Sequence, residues 1–127
     1  RIIDEAATYA LSRKQFGQPI SEFQLIQGML ADSEAEYLAG HAMVMEAARS
    51  LQAGKDTRIL AGSAKYFCSG ALGRVADRGL QIFGGAGYIA EYPIERLWRD
   101  ARVLRIYEGT SQILQLVIAR GMLKRYA

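Results

Sequence analysis

The sequence predicts an all-α fold, an antiparallel up-and-down four-helix-type bundle, and three observations carry that prediction. Apolar residues recur at helical spacing through long segments, the connections are short and hold Gly, Pro, Ser or Asp, and no repeat, low-complexity stretch or convincing strand pair intervenes. Half of the 127 residues are apolar and 23% are charged, which excludes a disordered chain and fits one domain over residues 1–127. For 14.0 kDa, area scaling gives roughly 6,700 Å² exposed of roughly 20,000 Å² unfolded, so about two-thirds of the surface is expected to be buried.

Ile2, Ile3, Ala6, Ala7, Ala10 and Leu11 form the first helical pattern, which opens at Arg1 without a capping residue. That helix is expected to be truncated and the chain to be a piece of a longer protein. It should end near Lys14, because Gly17 and Pro19 come next. Ser21 with Gln24 reads as a capping box opening a second helix. The second helix is expected to run to Gly54, with a stripe of Phe23, Ile26, Leu30, Tyr37, His41, Val44, Ala48 and Leu51. Asp56 or Thr57 can cap a third, with Leu60, Ser63, Phe67, Ala71, Val75 and Leu80 on one face and Gly84, Gly85 and Gly87 at its end. Its small residues, Ala61, Gly62, Ala64, Ser69, Gly70, Gly73 and Ala76 among them, would let a neighbour approach closely. Pro93 starts a short amphipathic stretch through Ala101, and Thr110 or Ser111 can cap a last helix carrying Ile113, Leu114, Leu116, Val117, Ile118 and Met122.

Composition excludes several functions. The 16 Lys and Arg against 13 Asp and Glu leave a net charge of +3, but the cations are scattered among acids, so nucleic acid is not the expected partner. The longest uncharged run, Gly79 to Ala90, has twelve residues, well short of the ~20 that span a bilayer, and a soluble domain is expected. Cys68 is the one cysteine, so neither an internal disulfide nor a Cys-based zinc site is expected, and a reducing compartment fits best.

Gly85-Ala86-Gly87-Tyr88-Ile89-Ala90 satisfies the G-x-G-x-x-G/A dinucleotide pattern, yet a helical pattern precedes it and Pro93 interrupts the next segment, whereas the Rossmann turn needs a strand before and a helix after. These glycines still offer exposed backbone to a flat or anionic ligand. His41 reads as a core histidine and not a metal ligand, and Cys68 as a small buried hydrophobe. Tyr107-Glu108-Gly109-Thr110 puts one carboxylate in a Gly-containing turn before a helix start. Spacing alone leaves it either a functional group or a helix cap.

Together these segments resemble the C-terminal helical domain of the acyl-CoA dehydrogenase family. The resemblance is carried by Arg13-Lys14-Gln15-Phe16-Gly17-Gln18-Pro19-Ile20 with Gln24, and by Gln81-Ile82-Phe83-Gly84-Gly85-Ala86-Gly87-Tyr88. It continues through Glu91-Tyr92-Pro93-Ile94-Glu95-Arg96, Arg99-Asp100-Ala101 and Ile106-Tyr107-Glu108-Gly109-Thr110-Ser111-Gln112-Ile113. The match runs in order along the whole chain.

The resemblance implies an FAD-dependent enzyme with two further domains, N-terminal helical and middle β, that lie outside this sequence. It implies α,β-dehydrogenation of an acyl-CoA thioester to the trans-2-enoyl-CoA, with electrons passing from FAD to an electron-transfer flavoprotein. By the same likeness Glu108 is the base that takes the α-proton, and Tyr107 and Gly109 line the substrate. Arg13, Phe16, Gln24, Gln81, Ile82, Phe83, Gly84 and Gly85 would contact a neighbouring subunit's FAD, and Thr110 and Gln112 the FAD of their own, within a homodimer or homotetramer. The likeness also implies a bacterial cytoplasmic or mitochondrial-matrix location, and the domain alone is expected to be inactive. An acyl-CoA oxidase-like flavoenzyme shares fold and base; a non-catalytic helical interaction module is the reading from another class.

Overall fold

The computed structural model describes residues 1–127. Five helices, α1 (Ile2–Ser12), α2 (Gln24–Gln52), α3 (Arg58–Phe83), α4 (Pro93–Val103) and α5 (Ser111–Leu123), form an all-α domain in which α3 packs against each of the other four. The core lies at one end of α3. Ile2, Val75, Ala76, Phe83, Ile94 and Ala101 join α1, α3 and α4, and Ala6, Ala10, Ile20 and Ile82 continue it beneath the α1–α2 connection.

Small residues on α3 set these distances. At Gly79 a Cβ would stand 2.8 Å from Ile2 Cγ2 and 3.1 Å from Ile94 Cδ1, so only glycine lets α1 and α4 close over the same turn. On the facing side Gly40 of α2 meets Cys68, and a Cβ there would lie 3.1 Å from Sγ. The chain exposes 8565 Å², about a quarter more than scaling predicts for its mass, so less than the expected two-thirds is buried. Apolar faces of α2 and α5 account for much of it: Leu25, Tyr37, Leu38, Val44, Leu51, Ile113, Leu116 and Val117 are all exposed.

Several expectations are corrected. The connection after α1 holds a two-residue antiparallel pair, β1 (Lys14–Gln15) and β2 (Gln18–Pro19), with Lys14 opposite Pro19 and Gln15 opposite Gln18. It is invisible as a strand pattern because two residues show no alternation. Ser21 does not cap α2. Buried Ile20 seats the chain, Ile20–Glu22 winds into a 3₁₀ turn, and the helix starts three residues later with the Ser21 hydroxyl buried and unpartnered. Gln27 Nε2 instead donates to the Ser21 carbonyl at 3.0 Å.

The predicted α2 stripe holds only at its N-terminal end, where Phe23, Ile26 and Leu30 are half-buried against the core. Ser33, Gly40 and Ser50 are buried, whereas Tyr37, His41, Val44 and Leu51 face outward, so His41 is not a core residue. Its ring lies tilted 5.9 Å from Tyr37. Cys68 is half-buried, its Sγ 3.6 Å from the Gly40 carbonyl, and burial pushes its thiol pKa up. The third helix is preceded by Thr57, but Asp56 Oδ1 takes the Arg58 N–H at 3.0 Å; the Arg58 side-chain and backbone donors hold the Asp56 pKa down to about 2.

An ion-pair network joins α2 to α3. Glu36 accepts from Arg74 Nε at 2.6 Å and from Arg78 at 3.0 Å, with Asp32 3.8 Å from Arg78. Burial disfavours the Glu36 charge, but hydrogen bonds from Arg78 and Arg74 outweigh it and hold the carboxyl below its usual range. A depressed native pKa gives stability that is present above the ordinary carboxylate range and lost as pH falls through the depressed value. Glu36→Gln should therefore lower the melting temperature at neutral pH, and the gap should close in acid. Melting curves of both forms against pH check this; a gap that persists at the acid end assigns Glu36 a role other than its charge.

Candidate functional site

The predicted site residues fall into two groups, one at the C-terminal end of α3 and one in the α4–α5 loop that Lys65 of α3 touches. Lys65 and Phe83, the α3 residues next to each group, are 18 positions apart, about 27 Å along the helix axis.

The first group surrounds a cleft of about 470 Å³ lined by Tyr9, Arg13, Gln15, Ile82, Phe83, Gly84, Gly85 and Tyr92, among others. Arg13 ends α1 in an extended conformation, and its carbonyl takes the Ile20 N–H at 2.8 Å. Its guanidinium pairs with no carboxylate of the chain. Opposite it α3 stops at Gly84, whose φ of +60° turns the chain into a 3₁₀ run over Gly84–Tyr88. A Cβ built on Gly84 or Gly85 meets nothing within 4 Å, so this backbone lies open to a ligand. Ile82 and Phe83 are core residues whose side chains are buried. Tyr9 stacks on Phe83 with centroids 4.0 Å apart, and Tyr92 meets both rings edge-on. Phe16, Gln24 and Gln81 are exposed and lie outside the cleft lining, Phe16 edge-to-face with Phe23. An unpaired Arg, an open Gly-Gly backbone and an aromatic wall fit a phosphate-bearing, flat cofactor such as a flavin dinucleotide.

The second group is the loop between α4 and α5. Glu108 and Gly109 have φ of +52° and +88°; the same pairing occurs at Phe16 and Gly17, with +52° and +84°. Phe16 and Glu108 are the two non-glycine residues with positive φ, each a conformation costing roughly 1–2 kcal/mol. Thr110 caps α5, its Oγ1 accepting from the Ile113 N–H at 3.3 Å. That settles the cap in favour of Thr110, and the Glu108 carboxylate makes neither a hydrogen bond nor an ion pair within the chain. Tyr107 N–H and Ser111 N–H are bonded to Val103 and Arg105 carbonyls, whereas the N–H of Glu108 has no partner. The loop therefore presents an exposed carboxylate beside a free backbone donor, with Tyr107 and Gln112 exposed on either side.

Tyr9 and Lys65 carry no sequence signal of a site, and Gln15 and Tyr92 lie in segments that carry the resemblance without being singled out as site residues. The tyrosines read as helix and turn residues, and nothing local marks Lys65, whose ammonium reaches this loop from 42 residues away. His41 and Cys68 belong to a separate apolar groove of about 530 Å³ between α2, α3, α4 and the start of α1. No three His, Cys, Asp or Glu side chains cluster to hold a metal, and no helix is long and apolar enough to cross a membrane.

Residues 1–123 match the family described as the acyl-CoA dehydrogenase C-terminal domain. The chain is 47% identical over 122 residues to 3-(aryl)acrylate reductase of Clostridium sporogenes, covering 96% of this chain and 32% of that protein. It is 43% identical over 123 residues to the CarC subunit of the caffeyl-CoA reductase-Etf complex of Acetobacterium woodii, covering 97% of this chain and 32% of that one. Among solved structures, butyryl-CoA dehydrogenase from Megasphaera elsdenii superposes with a TM-score of 0.94 at 38% identity, over 96% of this chain and 32% of that one. The chain thus spans about a third of the length of these relatives. On the family match and this shared fold, the chain belongs to the acyl-CoA dehydrogenase family, as its C-terminal domain.

Proposed function

We propose that the domain serves a cytoplasmic, homo-oligomeric FAD enzyme, completed by N-terminal helical and middle β-domains, that oxidises an acyl-CoA thioester to its trans-2-enoyl-CoA. Glu108 is the base in this reading. The observation that carries it is the unpaired Glu108 carboxylate on a strained turn with its own N–H unoccupied. The carboxylate takes the proton from the α-carbon, and the electron pair of that C–H bond forms the α,β double bond. Bound FAD supplies the acceptor for the β-hydrogen and its electron pair. The Glu108 N–H is available to the thioester oxygen, where enolate charge gathers as the proton leaves. Gly109 is required at φ +88°, and Tyr107 borders the substrate. Arg13, Gly84 and Gly85 would hold the phosphate-bearing part of FAD, with Phe16, Gln24 and Gln81 to Phe83 at its margin. Thr110, whose O–H proton is left over from capping, and Gln112 would face a second FAD. The α3 residues next to the two groups, Lys65 and Phe83, are about 27 Å apart along the helix axis, which supports the groups' serving different FAD molecules, and hence an oligomer.

The Etf complex to which one relative belongs supports an electron-transfer flavoprotein as redox partner. Two relatives bear reductase names, which favours a second reading in which Glu108 delivers the α-proton to an unsaturated acyl group. Anaerobic titration of the full-length protein distinguishes the readings. Flavin bleaching across a series of saturated acyl-CoA thioesters supports dehydrogenation; reoxidation of the reduced flavin by an enoyl or arylacrylyl thioester, without bleaching by saturated ones, supports reduction. Absence of any flavin absorbance rejects both.

A further inference from the structure

Lys65 lies on α3 among small residues, between Ala64 and Tyr66, half-buried and without a carboxylate partner. Its ammonium donates to the Tyr107 carbonyl at 3.1 Å and to the Gly109 carbonyl at 2.7 Å, the two carbonyls that flank Glu108. Both bonds cross from α3 to the α4–α5 loop, over separations of 42 and 44 residues. Few other contacts hold this loop. Its remaining hydrogen bonds are the turn bonds to Val103 and Arg105, the Thr110 cap and the Leu114 N–H to the Thr110 carbonyl, with the Leu114 side chain beside Gly109, and none of these bonds a carbonyl or N–H of Glu108 or Gly109.

We infer that Lys65 is a positioning residue that clamps the Tyr107–Glu108 and Gly109–Thr110 peptides, on either side of the Glu108–Gly109 peptide, and so aims the Glu108 carboxylate, an inference that rests on Glu108 being the base. Two consecutive positive-φ residues form a conformation that a free loop would leave, because the left-handed region is unfavourable for Glu. A cation bonded to the Tyr107 and Gly109 carbonyls penalises that escape, since rotating either the Tyr107–Glu108 or the Gly109–Thr110 peptide would break a charge-assisted bond. The same arrangement occupies the ammonium with carbonyl oxygens and leaves the Glu108 carboxylate unpaired for substrate. A lysine serves here because its three donors sit on one compact head that can bridge two carbonyls, and its long stem lets α3 stand back from the loop.

The test uses the full-length flavoprotein with Lys65→Met, which keeps the stem and removes the donors, and Lys65→Arg, which keeps charge and donors. Lys65→Met is expected to slow flavin reduction by a saturated acyl-CoA about tenfold, short of the ~10²-fold that a 1 Å misplacement can cost, with acyl-CoA affinity and FAD content unchanged. Lys65→Arg should recover most of the rate. Amide exchange in the Ile106–Ser111 segment should rise in Lys65→Met, an arm that reads the clamp even if Glu108→Gln alone shows that Glu108 is not the base. In a Glu108→Gln background Lys65→Met should slow reduction no further. Unchanged exchange and rate would overturn the clamp. So would a slowing that accompanies lost FAD or unfolding and is not rescued by Arg, or a further tenfold slowing without Glu108.

Discussion

Glu108→Gln in the full-length protein is expected to slow flavin reduction by a good acyl-CoA substrate at least ~10²- to 10⁴-fold, the range for a positioned general base. The amide keeps the shape of the side chain and loses the ability to accept a proton, so folding and FAD content should hardly change. The competing account of this residue, that it caps the last helix, has a different signature. A cap would shift stability by up to about 1 kcal/mol and leave most activity, because an amide oxygen also accepts a hydrogen bond. In the structure that position is taken by Thr110, whose hydroxyl receives the Ile113 N–H. Stopped-flow reduction separates the accounts, and a rate within about threefold of the parent, far under the general-base range, would end the assignment. Backbone strain does not confound the comparison. Because Glu108 sits at φ +52°, its backbone is strained by type and not by side-chain length, and Gln at the same position inherits the same strain.

The helices were legible because their punctuation is chemical. Pro93 at the start of α4, Gly84 at the end of α3 and Thr110 before α5 each act through their own backbone or hydroxyl, within a few residues of where they stand. Ser21 shows where such logic stops. Its pattern is that of a capping box, but the burial of Ile20 against α1 and α3 fixes the chain path, and the hydroxyl is carried into the interior before the helix begins. The α2 stripe holds at Phe23, Ile26 and Leu30 and fails from Tyr37 onward for a related reason. Large apolar residues mark a face that wants cover, whereas α2 meets α3 through Ser33, Gly40 and Ser50, and close approach is dictated by the small residues opposite. In the candidate site, Phe16 and Glu108 stand out in the sequence and are the two positive-φ side chains. The partners that shape their surroundings, Tyr9 behind the glycines and Lys65 behind the loop, come from distant turns that no local pattern connects.

Arg13→Ala is expected to weaken FAD retention far more than it weakens folding. Arg13 is exposed at the C-terminal end of α1, where a cation also gains from the helix dipole. If the dipole were its whole role, the substitution would cost about 0.3–1 kcal/mol of stability and leave cofactor binding alone. The geometry favours more than that, because the guanidinium has no internal carboxylate partner and shares its cleft with Gly84 and Gly85, whose backbone is open to a ligand. Loss of one charge-assisted contact to a phosphate should weaken binding by roughly 1.5–3 kcal/mol, on the order of ten- to a hundredfold or slightly more in dissociation constant. Arg13→Lys should recover only part of this, since an ammonium keeps the charge and loses the planar fork that meets two oxygens at once. Flavin content after exhaustive dialysis, flavin titration of the apoprotein and melting curves with and without FAD measure these separately. Because the cofactor in question is held at a subunit boundary in the proposed reading, the loss should persist at protein concentrations where the oligomer is intact. A melting temperature lowered equally in apo and loaded protein, with flavin retained, would reduce Arg13 to a helix-end charge; unchanged retention with unchanged melting would remove it from the site altogether.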